Sequence, residues 1–209
     1  MGKQFDLIII GAGPGGYVAA KKAAKLGMSL VIIDKGDVGV TCINRGCIPT
    51  KALVHAAMLY REMTECEKFG LSAEKVGFDL QKIYEYKDLS AARMREELEK
   101  EFKELGVVSV RGNATIQSDK KVRVVTPKKE EVYYYGKYIL IATGAKARTI
   151  DIPGLDLPGV MTSEELLTSN ESQYRRLLIL GGGVIGIELA TVFNALGSEV
   201  TIVEVSDRL

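Results

Sequence analysis

The chain has 209 residues, 46% of them hydrophobic, with 28 lysines and arginines against 27 aspartates and glutamates. This is enough for one large domain or two small ones of ordinary globular composition. The balanced charge excludes a field that favours nucleic acid or an anionic membrane, and no apolar run is long enough to span a bilayer. Met1 to Asp6 lead straight into a strand and not into a signal peptide, so a cytosolic location is expected. Three cysteines in this length are not a disulfide scaffold. With a single histidine they offer no paired ligand spacing of the zinc type, and no metal is expected.

Phe5 to Ile10 is a short isoleucine-rich run that predicts a buried parallel strand. Gly11-Ala12-Gly13-Pro14-Gly15-Gly16 follows. A helical pattern then runs from Tyr17 to Leu26 and closes at Gly27, and a second strand covers Ser29 to Ile33, ending at Asp34. A glycine triplet alone is weak evidence. Here it follows a strand, opens a helix and has a carboxylate about twenty residues on, the context of a dinucleotide seat. Gly11 permits the tight turn, Gly13 admits a pyrophosphate, and Gly16 lets the helix lie close to the strand. The helix N-terminus offers free N–H groups to the diphosphate, and Asp34 can accept from ribose hydroxyls.

Next comes Cys42-Ile43-Asn44-Arg45-Gly46-Cys47-Ile48-Pro49-Thr50-Lys51, with two of the three cysteines five positions apart. A thiol pair beside a phosphate cradle suggests redox chemistry. Two plainer readings stand beside it. A structural disulfide over so small a loop would contribute only about 2 kcal/mol, and the cytosol would tend to keep it reduced. The two could also be unconnected buried thiols. Cys66 has no partner in sequence and is given no role. His55 is expected to pack or face solvent.

Lys51 to about Glu67 predicts a helix with Ala52, Leu53, Ala56, Leu59, Tyr60 and Met63 as its stripe. A loop with a short helical piece is expected over Gly70 to Asp88, then a long helix from Leu89 to Leu105 capped by Gly106. From Val107 the period changes to two. Val108 and Val110, then Val122, Val124 and Thr126, then Val132, Tyr133 and Tyr135 predict a small antiparallel meander with turns near Asp119 and Lys128. Tyr138 to Ala142 reads as a further strand whose Thr143-Gly144 end returns to the first sheet. Ala145 to Arg176 is a boundary region, with a helix start at Thr162-Ser163-Glu164-Glu165.

Leu177 to Leu180 then opens a repeat. Gly181-Gly182-Gly183-Val184-Ile185-Gly186 leads a helix to Leu196, Gly197 ends it, and Glu199 to Val203 is a strand ending at Glu204. Gly181 to Glu204 spans 23 residues, as does Gly11 to Asp34. Two copies of one unit imply two dinucleotide seats. The second copy cannot cover its own apolar faces, so this domain is expected to be cut off, with exposed strand edges that favour self-association.

These motifs together resemble the flavin-dependent pyridine nucleotide-disulfide oxidoreductases. The resemblance rests on both glycine fingerprints, Thr41-Cys42 through Lys51, Ala142-Thr143-Gly144 and Thr162 through Leu167. Cys47 to Leu53 is closer to the members that oxidise dihydrolipoamide than to those acting on glutathione or mercuric ion. The resemblance implies an α/β, FAD/NAD(P)-binding, Rossmann-like three-layer fold with an antiparallel meander insertion. It implies an FAD-binding domain over 1–147, lacking a later segment, and the start of an NAD-binding domain over 148–209, with the C-terminal dimerisation domain absent.

The cofactors implied are FAD and NAD. Gly11, Gly13, Pro14, Gly15, Gly16, Asp34 and Lys35 would hold the ADP half of FAD, with Thr41 and Cys42 near its pyrophosphate. Gly112 and Ala114 would line the adenine, Ala142, Thr143 and Gly144 would return to the flavin, and Lys51 would lie by its N5 edge. Gly181, Gly183, Ile185, Gly186, Glu188 and Glu204 would form the NAD site. Glu204 favours NAD over NADP, against the nearby cation Arg208.

By the same resemblance Cys42 and Cys47 form a redox-active disulfide, catalytic together with Lys51. The implied partners are dihydrolipoamide on the lipoyl domain of a 2-oxo acid dehydrogenase or glycine cleavage complex, and a second copy in a full-length homodimer. Neither nucleic acid nor membrane is implied. The family's acid–base histidine belongs to the absent C-terminal domain, so the chain alone is expected to turn over little and hold FAD weakly. Two departures stand out. Members usually carry two glycines before Thr-Cys, where Val40 follows Gly39 here, which is expected to push the backbone away from the pyrophosphate. Arg45 replaces a commonly apolar residue.

Overall fold

The computed structural model describes residues 3–148, 150–170 and 173–209. The reading of Met1-Gly2 as leading into the first strand lies outside them. The chain forms two compact units, Met1–Asn44 with Ala92–Ile152, and Arg45–Ala91 with Pro153–Leu209.

In the first unit, β1 (Lys3–Ile10), α1 (Pro14–Lys25) and β2 (Leu30–Asp34) form the expected strand–turn–helix–strand. A sheet runs in the order β3-β2-β1-β6-β5-β4, with β3 (Val108–Arg111), β4 (Asn113–Ile116), β5 (Lys121–Val125) and β6 (Glu131–Ile141). β1 lies parallel between β2 and β6, pairing Ile8 with Val31 on one side and with Ile139 on the other. Its strands are apolar on both faces because both faces are covered: Ile8, Ile9, Val31 and Ile33 are fully buried. Val122, Val124 and Tyr134 close over Ile8, Val31 and Ile33 as one core.

Two expectations change here. Val108 to Arg111 does not start the meander; it pairs parallel with β2, and β4 is the first antiparallel strand. Residues 132–135 and 138–142 are not separate strands. One eleven-residue β6 pairs antiparallel with β5 through its first half and parallel with β1 through most of its length. Gly136 does not break it, because a Cβ there would come 2.8 Å from Ile8 Cγ1, so only glycine fits against β1.

The second unit contains α3 (Cys47–Thr64), the first half of α4 (Leu80–Glu104), α5 (Ser163–Ser169), β7 (Arg176–Leu180), α6 (Val184–Ala195) and β8 (Glu199–Val203). β7 and β8 pair parallel. Its core joins Leu53, Ala57, Tyr84, Leu167, Leu189, Val192, Phe193 and Leu196. Burial of the Tyr84 phenol there pushes its pKa up to about 12. The cysteine-side helix starts at Cys47, earlier than Lys51. Pro49 is tolerated because a first-turn N–H has no helical partner to lose. α4 likewise starts at Leu80, so the short helical piece expected within residues 70–88 is not separate but the opening of the long helix. No helix among the described residues is long and apolar enough to cross a membrane.

Candidate functional site: two glycine turns and a thiol-bearing helix pair

Gly11 sits at φ +107°, and a Cβ there would overlap the Ala142 carbonyl. A Cβ on Gly16 would overlap Gly11 O, so the helix lies hard against the turn. Gly13, the N-cap of α1, is different. A Cβ there would meet nothing within 4 Å. The first-turn N–H groups of α1 have no side-chain cap, and Pro14 follows directly. Open space facing uncapped donors at a helix N-terminus is what a diphosphate requires, so the residues fit that group.

The Asp34 carboxylate closes this turn. Its Oδ2 accepts from Ala12 N–H at 2.8 Å and its Oδ1 from Gly36 N–H at 2.9 Å. Gly112 N–H donates to Asp34 O at 2.8 Å, and Ala142 N–H to Ile10 O at 2.7 Å. Gly11, Asp34, Gly112 and Ala142 therefore converge at one end of the sheet. Ala114 is half-buried on β4, while Lys35, Thr143 and Gly144 follow strand ends.

Between β2 and α3 runs a short helix absent from the sequence expectations, α2 (Val40–Arg45), which carries Thr41 and Cys42. Gly39 N–H donates to Ala12 O at 3.0 Å, so the start of α2 is tied to the first glycine turn. Asn44 holds its far end, with Nδ2 donating to Val38 O and Oδ1 accepting from Arg95. Val40 occupies φ +42°, left-handed backbone that a β-branched residue rarely adopts. Cys42 is half-buried. Cys47, the first residue of α3, is exposed.

In the second unit Lys51 Nζ meets Glu188 Oε1 at 2.5 Å, pairing α3 with α6. The second glycine turn repeats the first. Gly181 sits at φ +108°, a Cβ on Gly186 would overlap Gly181 O, and Gly183 faces open space at an uncapped helix start. Ile185 is exposed in the first turn of α6. Glu204 Oε2 accepts from Gly182 N–H at 2.6 Å and Oε1 from Ser206 N–H at 2.9 Å. The Ser206 and then the Gly182 backbone donors hold its carboxyl below the usual range. A Cβ on Gly182 would overlap the Leu209 side chain, so Leu209 lies over this turn.

The acids thus have a role that sequence reasoning missed: each fastens the residue after its first glycine. The signal was there in the equal spacing, 22 residues from Ala12 to Asp34 and from Gly182 to Glu204. A second missed contact is Arg45 Nη1 to Glu164 Oε1 at 2.5 Å, joining residues 119 apart in sequence.

Two glycine turns, each closed by its own acid, define a protein of the two-dinucleotide α/β class. The chain belongs to the pyridine nucleotide-disulphide oxidoreductases, a family matched by residues 5–209. Members use FAD and NAD(P). It is 40% identical to a dihydrolipoyl dehydrogenase of Acholeplasma laidlawii over all of this chain and 62% of that protein. It is 38% identical to the mitochondrial dihydrolipoyl dehydrogenase of Dictyostelium discoideum over 99% of this chain and 43% of the other. A solved structure of similar fold is the Cu(II) complex of the HOCl-induced flavoprotein disulfide reductase RclA from Escherichia coli. It has a TM-score of 0.82 and 32% identity over 99% of this chain and 43% of that one. The chain spans 43 to 62% of the lengths of these proteins.

Proposed function

We propose that this chain is the thiol-bearing part of a dihydrolipoyl dehydrogenase, with residues 1–147 as its FAD-binding domain and 148–209 as the start of its NAD-binding domain. The observation that carries the reading is the Gly39 N–H to Ala12 O bond, which seats the Cys42 helix on the first glycine turn. The alternative is another reductase of the same family, acting on glutathione or mercuric ion. The names of the curated relatives, dihydrolipoyl dehydrogenases, favour a dihydrolipoyl dithiol as the substrate, which a lipoyl domain would present.

In this reading Cys42 and Cys47 start as a disulfide. A substrate thiolate attacks Cys42 Sγ, the Cys42–Cys47 bond breaks, and Cys47 leaves as a thiolate. The second substrate thiol releases its proton to solvent and attacks the mixed disulfide, and Cys42 leaves as a thiolate. The substrate is oxidised, and both electrons rest in the Cys42/Cys47 dithiol. FAD, held at the Gly11–Gly16 turn, would supply a two-electron relay from this dithiol to NAD⁺. Lys51 is held by Glu188 one turn into the helix that Cys47 opens. Gly13 and Gly183 admit the two diphosphates. Glu204 repels a 2′-phosphate, so NAD is favoured over NADP. The full-length protein would act as a cytosolic homodimer.

The test is Cys47→Ser in the full-length protein. Dihydrolipoamide:NAD⁺ activity should vanish while nucleotide-independent folding is kept; retained activity rules the mechanism out. A panel of dihydrolipoamide, glutathione disulfide and mercuric ion on the full-length protein decides between this reading and the alternative reductases.

A further inference from the structure

Arg45 ends α2, a single glycine follows, and Cys47 opens α3. The Arg45 guanidinium meets Glu164 Oε1 at 2.5 Å. Both side chains are partly exposed, and such a pair would ordinarily contribute little, because two mobile chains must be ordered to form it. Glu164 is not on a mobile element. It lies in the first turn of α5, whose seven residues could not hold a helix alone. α5 is fastened at both ends.

At its start, Thr162 and Glu165 form a reciprocal capping box, with Thr162 N–H donating to Glu165 Oε2 at 2.6 Å and Glu165 N–H to Thr162 Oγ1 at 3.3 Å. At its other end, Lys87 Nζ donates to Leu167 O at 2.6 Å. Only 2% of Lys87 is exposed, and it also pairs with Asp88 at 2.7 Å. Asp88 in turn accepts from Asn170 Nδ2 at 2.6 Å. A buried lysine capping helix carbonyls fixes where the rest of α5 stands.

We propose that Arg45 and Glu164 are a charge-balanced positioning pair that sets the reactivity of the Cys47 thiol, a role that rests on reading Cys47 as a redox thiol. Two ion pairs stand at the start of α3 among the described residues. Arg45 of α2 is met by Glu164 of α5, and Lys51 of α3 by Glu188 of α6. Among the described residues the other ion pair of α3, Arg61 with Glu65, lies at its far end. Removing one member of the Arg45–Glu164 pair leaves a net charge two residues from Cys47. A net positive charge favours the thiolate and a net negative charge disfavours it.

The test is iodoacetamide alkylation of the reduced 209-residue chain at neutral pH and low salt, read for Cys47 separately from Cys42 and Cys66 by peptide mass spectrometry. Glu164→Gln should speed Cys47 alkylation and Arg45→Met should slow it, each on the order of two- to threefold for a partly screened charge. The double variant should return to the wild-type rate, and Arg45→Lys should keep it. A purely structural contact would move both single variants the same way and leave the double no better. Same-direction changes, or none, overturn the pair's role and leave the redox reading standing. Failure of wild-type Cys47 to form a disulfide with Cys42 under diamide oxidation overturns the redox reading, and the proposal with it.

Discussion

The two glycine turns share a local geometry yet sit in different surroundings. Their first glycines have φ of +107° and +108°. Each acid accepts the N–H of the residue that follows, at 2.8 Å in one and 2.6 Å in the other. Around the first turn, β2 is buried along nearly its whole length. Around the second, β7 and β8 alternate half-buried and exposed residues, with Leu178 at 62% and Leu180 at 45% exposure. The same turn geometry therefore accompanies a buried strand in one unit and half-exposed strands in the other. Glycine sterics and one carboxylate–amide bond build it from some two dozen consecutive residues. Strand burial needs neighbours from far along the chain: β2 is flanked by β3, from the 108–111 stretch, while β8 has no second neighbour among the described residues.

The harshest way to break this likeness is a methyl group at the helix–turn contact. Gly16→Ala and Gly186→Ala each drive a Cβ onto the carbonyl of the turn's first glycine. In the first unit the strand cannot yield, because Ile8 and Ile9 are packed on all sides, and the loss should reach about 3 kcal/mol. In the second, α6 can shift against a sheet whose outer face is open, and about 1–2 kcal/mol is expected. Two units need not unfold together, so amide exchange at residues 7–10 and 177–180 is the proper readout. Equal losses would mean that the local turn, and not the packing behind it, carries the strain.

Both turns and their acids were legible in the sequence because glycine spacing and strand period are local signals. The losses came where a distant contact overrode a local one. Tyr84, Ala91, Leu98 and Phe102 are buried along α4, and Lys87 sits on the same stripe. A lysine at a core position hides the periodicity, so the sequence pattern predicts the long helix only from Leu89; Leu167 O, 80 residues away in sequence, explains the lysine. Gly136 and Lys137 split β6 in the sequence for the same reason, since Ile8 is what demands the glycine. The Arg45–Glu164 pair has no sequence signal short of the fold itself.

Val40 offers a milder change, and it bears on a segment the second turn lacks. Its φ of +42° follows Gly39 at +87°, in the link that ties the thiol helix to Ala12. Left-handed backbone at a non-glycine residue costs about 1–3 kcal/mol, and glycine's extra freedom when unfolded returns about 0.5–1 kcal/mol of that. Val40→Gly should therefore stabilise α2 by about 1 kcal/mol. The measurement is exchange at Ile43 N–H, which donates to Gly39 O. Faster exchange in the variant would show that the valine side chain contributes more through packing than its backbone costs.

The smallest effect belongs to the acid of the second turn. Backbone donors from Ser206 and Gly182 stabilise the ionised Glu204 and hold its pKa below the ordinary 4.5. The folded value is depressed, so the linked stability is present above 4.5, where the unfolded group is ionised. It is lost as pH falls through the folded value. Half-buried and held by two backbone donors of its own turn, Glu204 should leave the global unfolding transition almost unmoved, and the local signal is the sensitive one. The Gly182 and Ser206 amide proton resonances should titrate together with one midpoint below 4.5, and Glu204→Gln should abolish that titration. A midpoint at or above 4.5 would mean that the carboxylate does not hold the turn in solution. The match between the two copies would then rest on glycine sterics alone.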